Sequence, residues 1–175
     1  MRRLPLFDGE EAESTHSVPT PKRYAPGTEL AYDPGLPGIL KQQHRDILAA
    51  LERTLTAADA SKYKLAGNLL LEFRRDYQRH LYEKNQRFLP YLNHCLARDG
   101  KHSKMILKIS SVTRHLDHKI MAVVKTYEEK ELGSVNRESF LKELGEIRTD
   151  LARHMREEDE FIFPMYMPPE AYRAN

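Results

Sequence analysis

A chain of 175 residues, 40% hydrophobic and 31% charged, carries enough apolar material for one compact domain with its own core. Its 28 basic and 26 acidic residues interleave along most of the chain and leave a formal charge of +2, which excludes the basic stripe of a nucleic-acid binder. The longest apolar runs, such as "GNLLLEF", fall far short of the roughly 20 residues that cross a bilayer. No apolar signal region follows the opening "MRR". The single cysteine, Cys95, rules out an internal disulfide framework. A cytoplasmic protein without a nucleic-acid or membrane partner is therefore expected.

Residues 1–35 are rich in proline, glycine and Ser/Thr and show no sustained periodicity, so they read as an irregular arm whose first 20 residues are mobile. Leu30 and Tyr32 in "ELAYDPGLPG" are expected to lie against the core. A first helix spans about 37 to 58, with Leu40, His44, Ile47, Leu48, Leu51 and Leu55 on one face. A second starts near Ser61 as N-cap and runs to about 97, with Pro90 expected to kink it or end its regular part and Gly100 as its stop. The third covers about 103 to 131 and ends before Gly133. The fourth follows Asn136 and is halted by the prolines of "FPMYMPP". No segment alternates with period two. Four helices with short connections over residues 36–168 predict an all-α, up-down-up-down four-helix bundle, followed by a short tail at 169–175.

The histidines carry a repeat. His44 and His80 are 36 residues apart, His118 and His154 are also 36 apart, and one shift of 74 relates the two pairs. The same shift carries Arg79 to Arg153, Glu83 to Glu157 and Pro90 to Pro164, so "RHLYEKNQRFLP" and "RHMREEDEFIFP" are two copies of one motif. A duplicated two-helix unit accounts for this. At about 100° per residue, Lys84 falls in the middle of the apolar stripe formed by Phe73, Tyr77 and Tyr91, and Glu158 falls in the equivalent stripe of Ile147, Leu151 and Met165. Glu83 and Glu157 fall to the rim. On the third helix the apolar stripe lies away from His118; His115 is the alternative inward histidine, and the 36-residue spacing ranks His118 first. His16, His94 and His102 read as solvated, and Cys95 as a small, partly buried residue.

A lone histidine is most often a hydrogen-bonded boundary residue. Four of them, one per helix at duplicated spacing, point instead to metal ligation, since imidazole and a carboxylate four residues later present two donors from one helical face. The segments "QQHRDIL", "RHLYEKNQRFLP", "LDHKIM" and "RHMREEDEFIFP" together resemble the hemerythrin-like, or HHE cation-binding, domain over residues from about 36 to 168. That resemblance implies a bundle around a di-iron centre, with ligands His44, His80, His118, His154 and Glu158. It also implies a carboxylate four residues after the second-helix histidine, and here that residue is Lys84. An ammonium has no lone pair and repels a cation in the same pocket. Lys84 is expected either to pair across the core with Glu158, or to snorkel to the bundle end and leave a four-His, one-Glu mononuclear site. The site is thus partly degraded and takes one metal weakly, or none.

Two functions follow. In the first, the protein binds non-haem iron, mononuclear or di-iron, or another divalent metal, for sensing or carrying. In the second, it is a metal-independent helical-bundle regulator that binds a protein partner, its ancestral site replaced by a Lys84/Glu158 polar core. An enzyme ranks third, because the sequence offers no nucleophile with a paired base and no Gly-rich phosphate loop.

Overall fold

The computed structural model describes residues 23–97, 99–130 and 132–173. The expected mobility of the first 20 residues, and His16 with it, lies outside them. Five α-helices form four rods: α1 (Leu36–Asp59), α2 (Tyr63–Glu83) continued by α3 (Leu89–Cys95), α4 (Gly100–Glu129) and α5 (Arg137–Glu157). α1 packs on α2 and α5, and α4 packs on the same two, which closes an up-down-up-down four-helix bundle. No described helix is long and apolar enough to cross a membrane.

Two expected helix ends are corrected. Ser61 is not the N-cap of α2. It sits at φ 58° just past α1, with its own N–H bonded to the Ala58 carbonyl and the Lys62 N–H bonded to the Ala57 carbonyl. That is a left-handed helix stop of Schellman type. Gly100 does not stop the second rod either. The Asp99 carboxylate accepts from the Lys101 and His102 N–H groups, so the next helix begins at Gly100, a turn earlier than the periodicity indicates.

The two motif copies share a distortion. Lys84–Phe88 and Glu158–Ile162 are both wide π turns, related by the same shift of 74. The Lys84 carbonyl accepts from the Leu89 N–H five residues on, and the Glu158 carbonyl from Phe163. Each turn precedes a proline, Pro90 or Pro164, which offers no N–H and whose ring crowds the carbonyl four residues back. Widening the turn relieves that crowding. After Pro90 the helix resumes; after Pro164 it tightens into a short 3-10 turn, Phe163–Met165, and ends.

Apolar residues form two clusters. The larger runs through Ile47, Leu51, Phe73, Tyr77, Leu116, Ile120, Leu144 and Leu151. The smaller, at the other end of the bundle, holds Leu36, Leu40, Phe88, Leu92, Ile109 and Phe163, with Leu30 and Tyr32 of the arm packed on it as expected. Aromatic rings connect the arm to the interior: Tyr32 stacks on Tyr166, Tyr166 on Phe88, Phe88 meets Phe163 edge-on, and Phe163 stacks on His44. Between the clusters lies a polar layer that each rod crosses once.

The strained residue of the α1 stop gives a test of this architecture. A non-glycine residue in the left-handed region costs about 1–2 kcal/mol, partly offset by the greater freedom of an unfolded glycine. Ser61→Gly should therefore stabilise the protein by about 1 kcal/mol in urea unfolding; were Ser61 the N-cap of α2, the same change would be neutral or destabilising.

Candidate metal centre

Among the described residues, the buried polar side chains are His44, Thr54, His80, Lys84, Thr113, His154 and Glu158. All but Thr54 belong to the one layer between the apolar clusters, so the polar burial of this fold is concentrated there. His44 comes from α1, His80 and Lys84 from the end of α2 and its π turn, Thr113 from α4, and His154 and Glu158 from the end of α5 and its π turn. The π turns begin at Lys84 and Glu158, the two charged members.

Lys84 does not snorkel: its side chain is 3% exposed, and Nζ donates to Glu158 Oε1 at 2.6 Å and to Thr113 Oγ1 at 3.3 Å. Hydrogen positions follow from that contact. An ammonium only donates, so Thr113 Oγ1 accepts from it, and the Thr113 hydroxyl can donate to the Ile109 carbonyl at 3.1 Å. His154 Nε2, 2.9 Å from Thr113 Oγ1 and 3.2 Å from Glu158 Oε1, then faces two acceptors and carries the proton. On this side of the layer Lys84 Nζ, Glu158 Oε1, Thr113 Oγ1 and His154 Nε2 are all engaged with one another, and His154 Nδ1, on the far edge of its ring, is buried without a partner among the described residues.

The other side differs. His44 Nδ1 lies 2.9 Å from Asp159 Oδ1, and since a carboxylate only accepts, Nδ1 carries a proton, which in the neutral ring leaves Nε2 bare. His80 Nδ1 is held in the same way by Gln43 Oε1 at 3.1 Å. Outer partners of this kind fix the tautomer of metal-binding histidines. His44 Nε2 faces Glu158 Oε2 at 3.4 Å, and neither atom has a hydrogen-bond partner among the described residues. With the His44 ring neutral, these two buried acceptors face each other and are satisfied by a cation placed between them. One donor atom each from His44, His80 and Glu158 all lie within 4.8 Å of one another, a spacing that could hold a metal ion. The donor set and the paired orphan acceptors fit one cation.

Electrostatics agree with that division. Burial alone raises the Glu158 carboxyl, but the Lys84 ammonium, with the nearby imidazole of His154, reverses this and holds it well below the usual carboxylate range. Burial, together with Lys84 and His44, pushes His80 down to about 2, so its ring stays neutral.

Of the five residues singled out from the sequence, His44, His80, His154 and Glu158 meet in this layer, whereas His118 and its alternative His115 are exposed. The inner face of α4 runs through Ile109, Thr113, Leu116 and Ile120. His118 stands two residues beyond Leu116, about 200° round the helix, and so points away from the layer. Three members of the site were missed. Thr113 lies one helical turn from Ile109 on the apolar stripe, but a threonine carries no ligand signal. Gln43 and Asp159 sit next in sequence to His44 and Glu158; Gln43 acts on His80 of the neighbouring helix in its own hairpin, and Asp159 on His44 of the other hairpin.

The protein is a four-helix bundle whose buried polar layer brings together two histidines and a carboxylate that could hold a metal ion. Residues 37–166 match the family model described as Hemerythrin HHE cation binding domain, and the chain belongs to that family. No curated protein and no solved structure matches it.

Two measurements test the layer. Lys84→Met and Glu158→Leu each leave one buried charge unpaired and should cost about 3–5 kcal/mol in unfolding with chelator present, while the double variant should cost far less than their sum. Additive, small effects would show that the pair is not coupled. The second test uses acid. His80 ordinarily titrates near 6.5, so below that pH the unfolded chain binds a proton that the native state refuses down to about 2. Stability should thus fall on acidification across this window by up to about 1.4 kcal/mol per pH unit from this group, and His80→Gln should remove that slope.

Proposed function

We propose that the protein binds one divalent metal, non-haem iron by preference, on His44, His80 and Glu158, and that it senses or carries that metal. The observation that carries this reading is the pair of buried, unpartnered acceptors His44 Nε2 and Glu158 Oε2, 3.4 Å apart, with His80 within reach of both. Two imidazoles and one carboxylate are the donor set associated with mononuclear ferrous iron, and family membership supports a cation as the natural occupant. When bound, the ion supplies a Lewis-acidic centre; the protein's own part is to hold two bare imidazole nitrogens and one carboxylate oxygen in a dry layer. Asp159 and Gln43 keep the imidazole protons on the outer nitrogens. With a single cysteine in the chain, we place the protein in the cytoplasm.

A metal-independent regulator is the second reading. Lys84 favours it, because the ammonium already neutralises Glu158 at 2.6 Å and the space beside the pair admits no water-sized sphere.

Thermal unfolding separates the two. With chelator and then with ferrous iron under deoxygenated buffer, the wild-type midpoint should rise, by mass action equivalent to about 2.7 kcal/mol at a metal concentration 100 times Kd. His80→Ala should abolish the rise. His154→Ala should lose about 1–3 kcal/mol in both buffers through the broken Thr113 and Glu158 contacts, yet still respond to metal. A wild-type midpoint indifferent to iron and to zinc would favour the regulator.

A further inference from the structure

The layer divides along Glu158. Oε2 faces His44 Nε2 with no hydrogen-bond partner, while Oε1 receives Lys84 and lies beside His154. A carboxylate placed in this way bridges two positive positions, one filled by a side chain. We propose that the Lys84 ammonium is a resident second cation of the centre: it shares Glu158 with one metal held by His44 and His80, limits the protein to a single ion, and favours the divalent over the trivalent charge state. This rests on the reading that His44, His80 and Glu158 hold a metal.

The limit to one ion follows from the donors on the Lys84 side. α4 contributes Thr113 and Ile109 to the layer, and the Thr113 oxygen already accepts from Lys84. His154 Nε2 carries its proton toward Thr113 and Glu158. With Oε1 also taken, the one uncommitted lone pair among these side chains is at His154 Nδ1, on the ring edge away from Thr113 and Glu158, and a single donor does not make a second metal site. The preference for the divalent state follows from charge. The ammonium and the metal lie on opposite oxygens of one carboxylate within a buried layer, where screening by water is weak, so each further positive charge on the metal meets repulsion that a neutral side chain would not exert. Among the described residues Asp159, behind His44, is the one other carboxylate bonded to a ligand, and its side chain is 35% exposed, so water screens it more.

The test uses the full chain and its Lys84→Gln and Lys84→Arg variants. Calorimetric titration with zinc should give one ion per wild-type chain; two would overturn the proposal without recourse to any variant. With iron bound, Lys84→Gln should raise the ratio of trivalent to divalent affinity at least about tenfold, which for one electron is a midpoint lowered by about 59 mV. Lys84→Arg, which keeps the charge, should stay near the wild-type midpoint. One zinc in the wild type with an unchanged midpoint in Lys84→Gln overturns this proposal alone. Failure of the wild type to bind zinc or iron overturns it together with the metal-binding function.

Discussion

The ion pair between Lys84 and Glu158 is the contact around which the rest of the centre is arranged. Each charge loses its hydration on burial, a cost of several kcal/mol per ion even after relaxation, and that cost is offset only where geometry is good and the remaining hydrogens and lone pairs find partners. Nζ meets Oε1 at 2.6 Å and Thr113 at 3.3 Å, and His154 lies 3.2 Å from the same carboxylate oxygen. Thr113 and His154 therefore have their proton positions set by the ammonium. The second carboxylate oxygen is left facing His44, and the asymmetry between the two oxygens divides the layer into a proton-bearing half and a lone-pair half.

Duplication explains why the pair has opposite signs. Lys84 and Glu158 are separated by the shift of 74 that relates the two hairpins, so they are copies of one position brought face to face at the centre of the bundle. Any duplicated charge at such a position meets its own copy. Two carboxylates would repel unless cations lay between them, whereas one inversion makes the meeting attractive with no ion present. The paired π turns show that the backbone kept its symmetry while the side chains lost theirs.

What was legible in the sequence depended on whether one helix alone determined it. Lys84 and Glu158 could be placed at the bundle centre because angular position on a helix is set by counting residues, and the repeat supplied two independent counts. His118 was misplaced because the 36-residue spacing measures distance along the chain and carries no information about which face is turned inward; the stripe through Ile109 and Leu116 was the better guide. Ser61 satisfies the composition rule for a helix start and not the glycine rule for a left-handed helix stop, and only the Lys62 to Ala57 hydrogen bond shows that it is the stop. The partnerships of Gln43 with His80 and of Asp159 with His44 cross between helices, so no periodicity within one helix signals them.

The ring series from Tyr32 through Tyr166, Phe88 and Phe163 to His44 places the arm and the centre in one optical unit. The chain contains nine tyrosines and no tryptophan. Its near-ultraviolet emission therefore comes from phenol rings alone, undrowned by indole, and two of those rings belong to the series that ends on His44. Tyr32 and Tyr166 thus put an intrinsic reporter at the arm's end of the stack whose other end is His44.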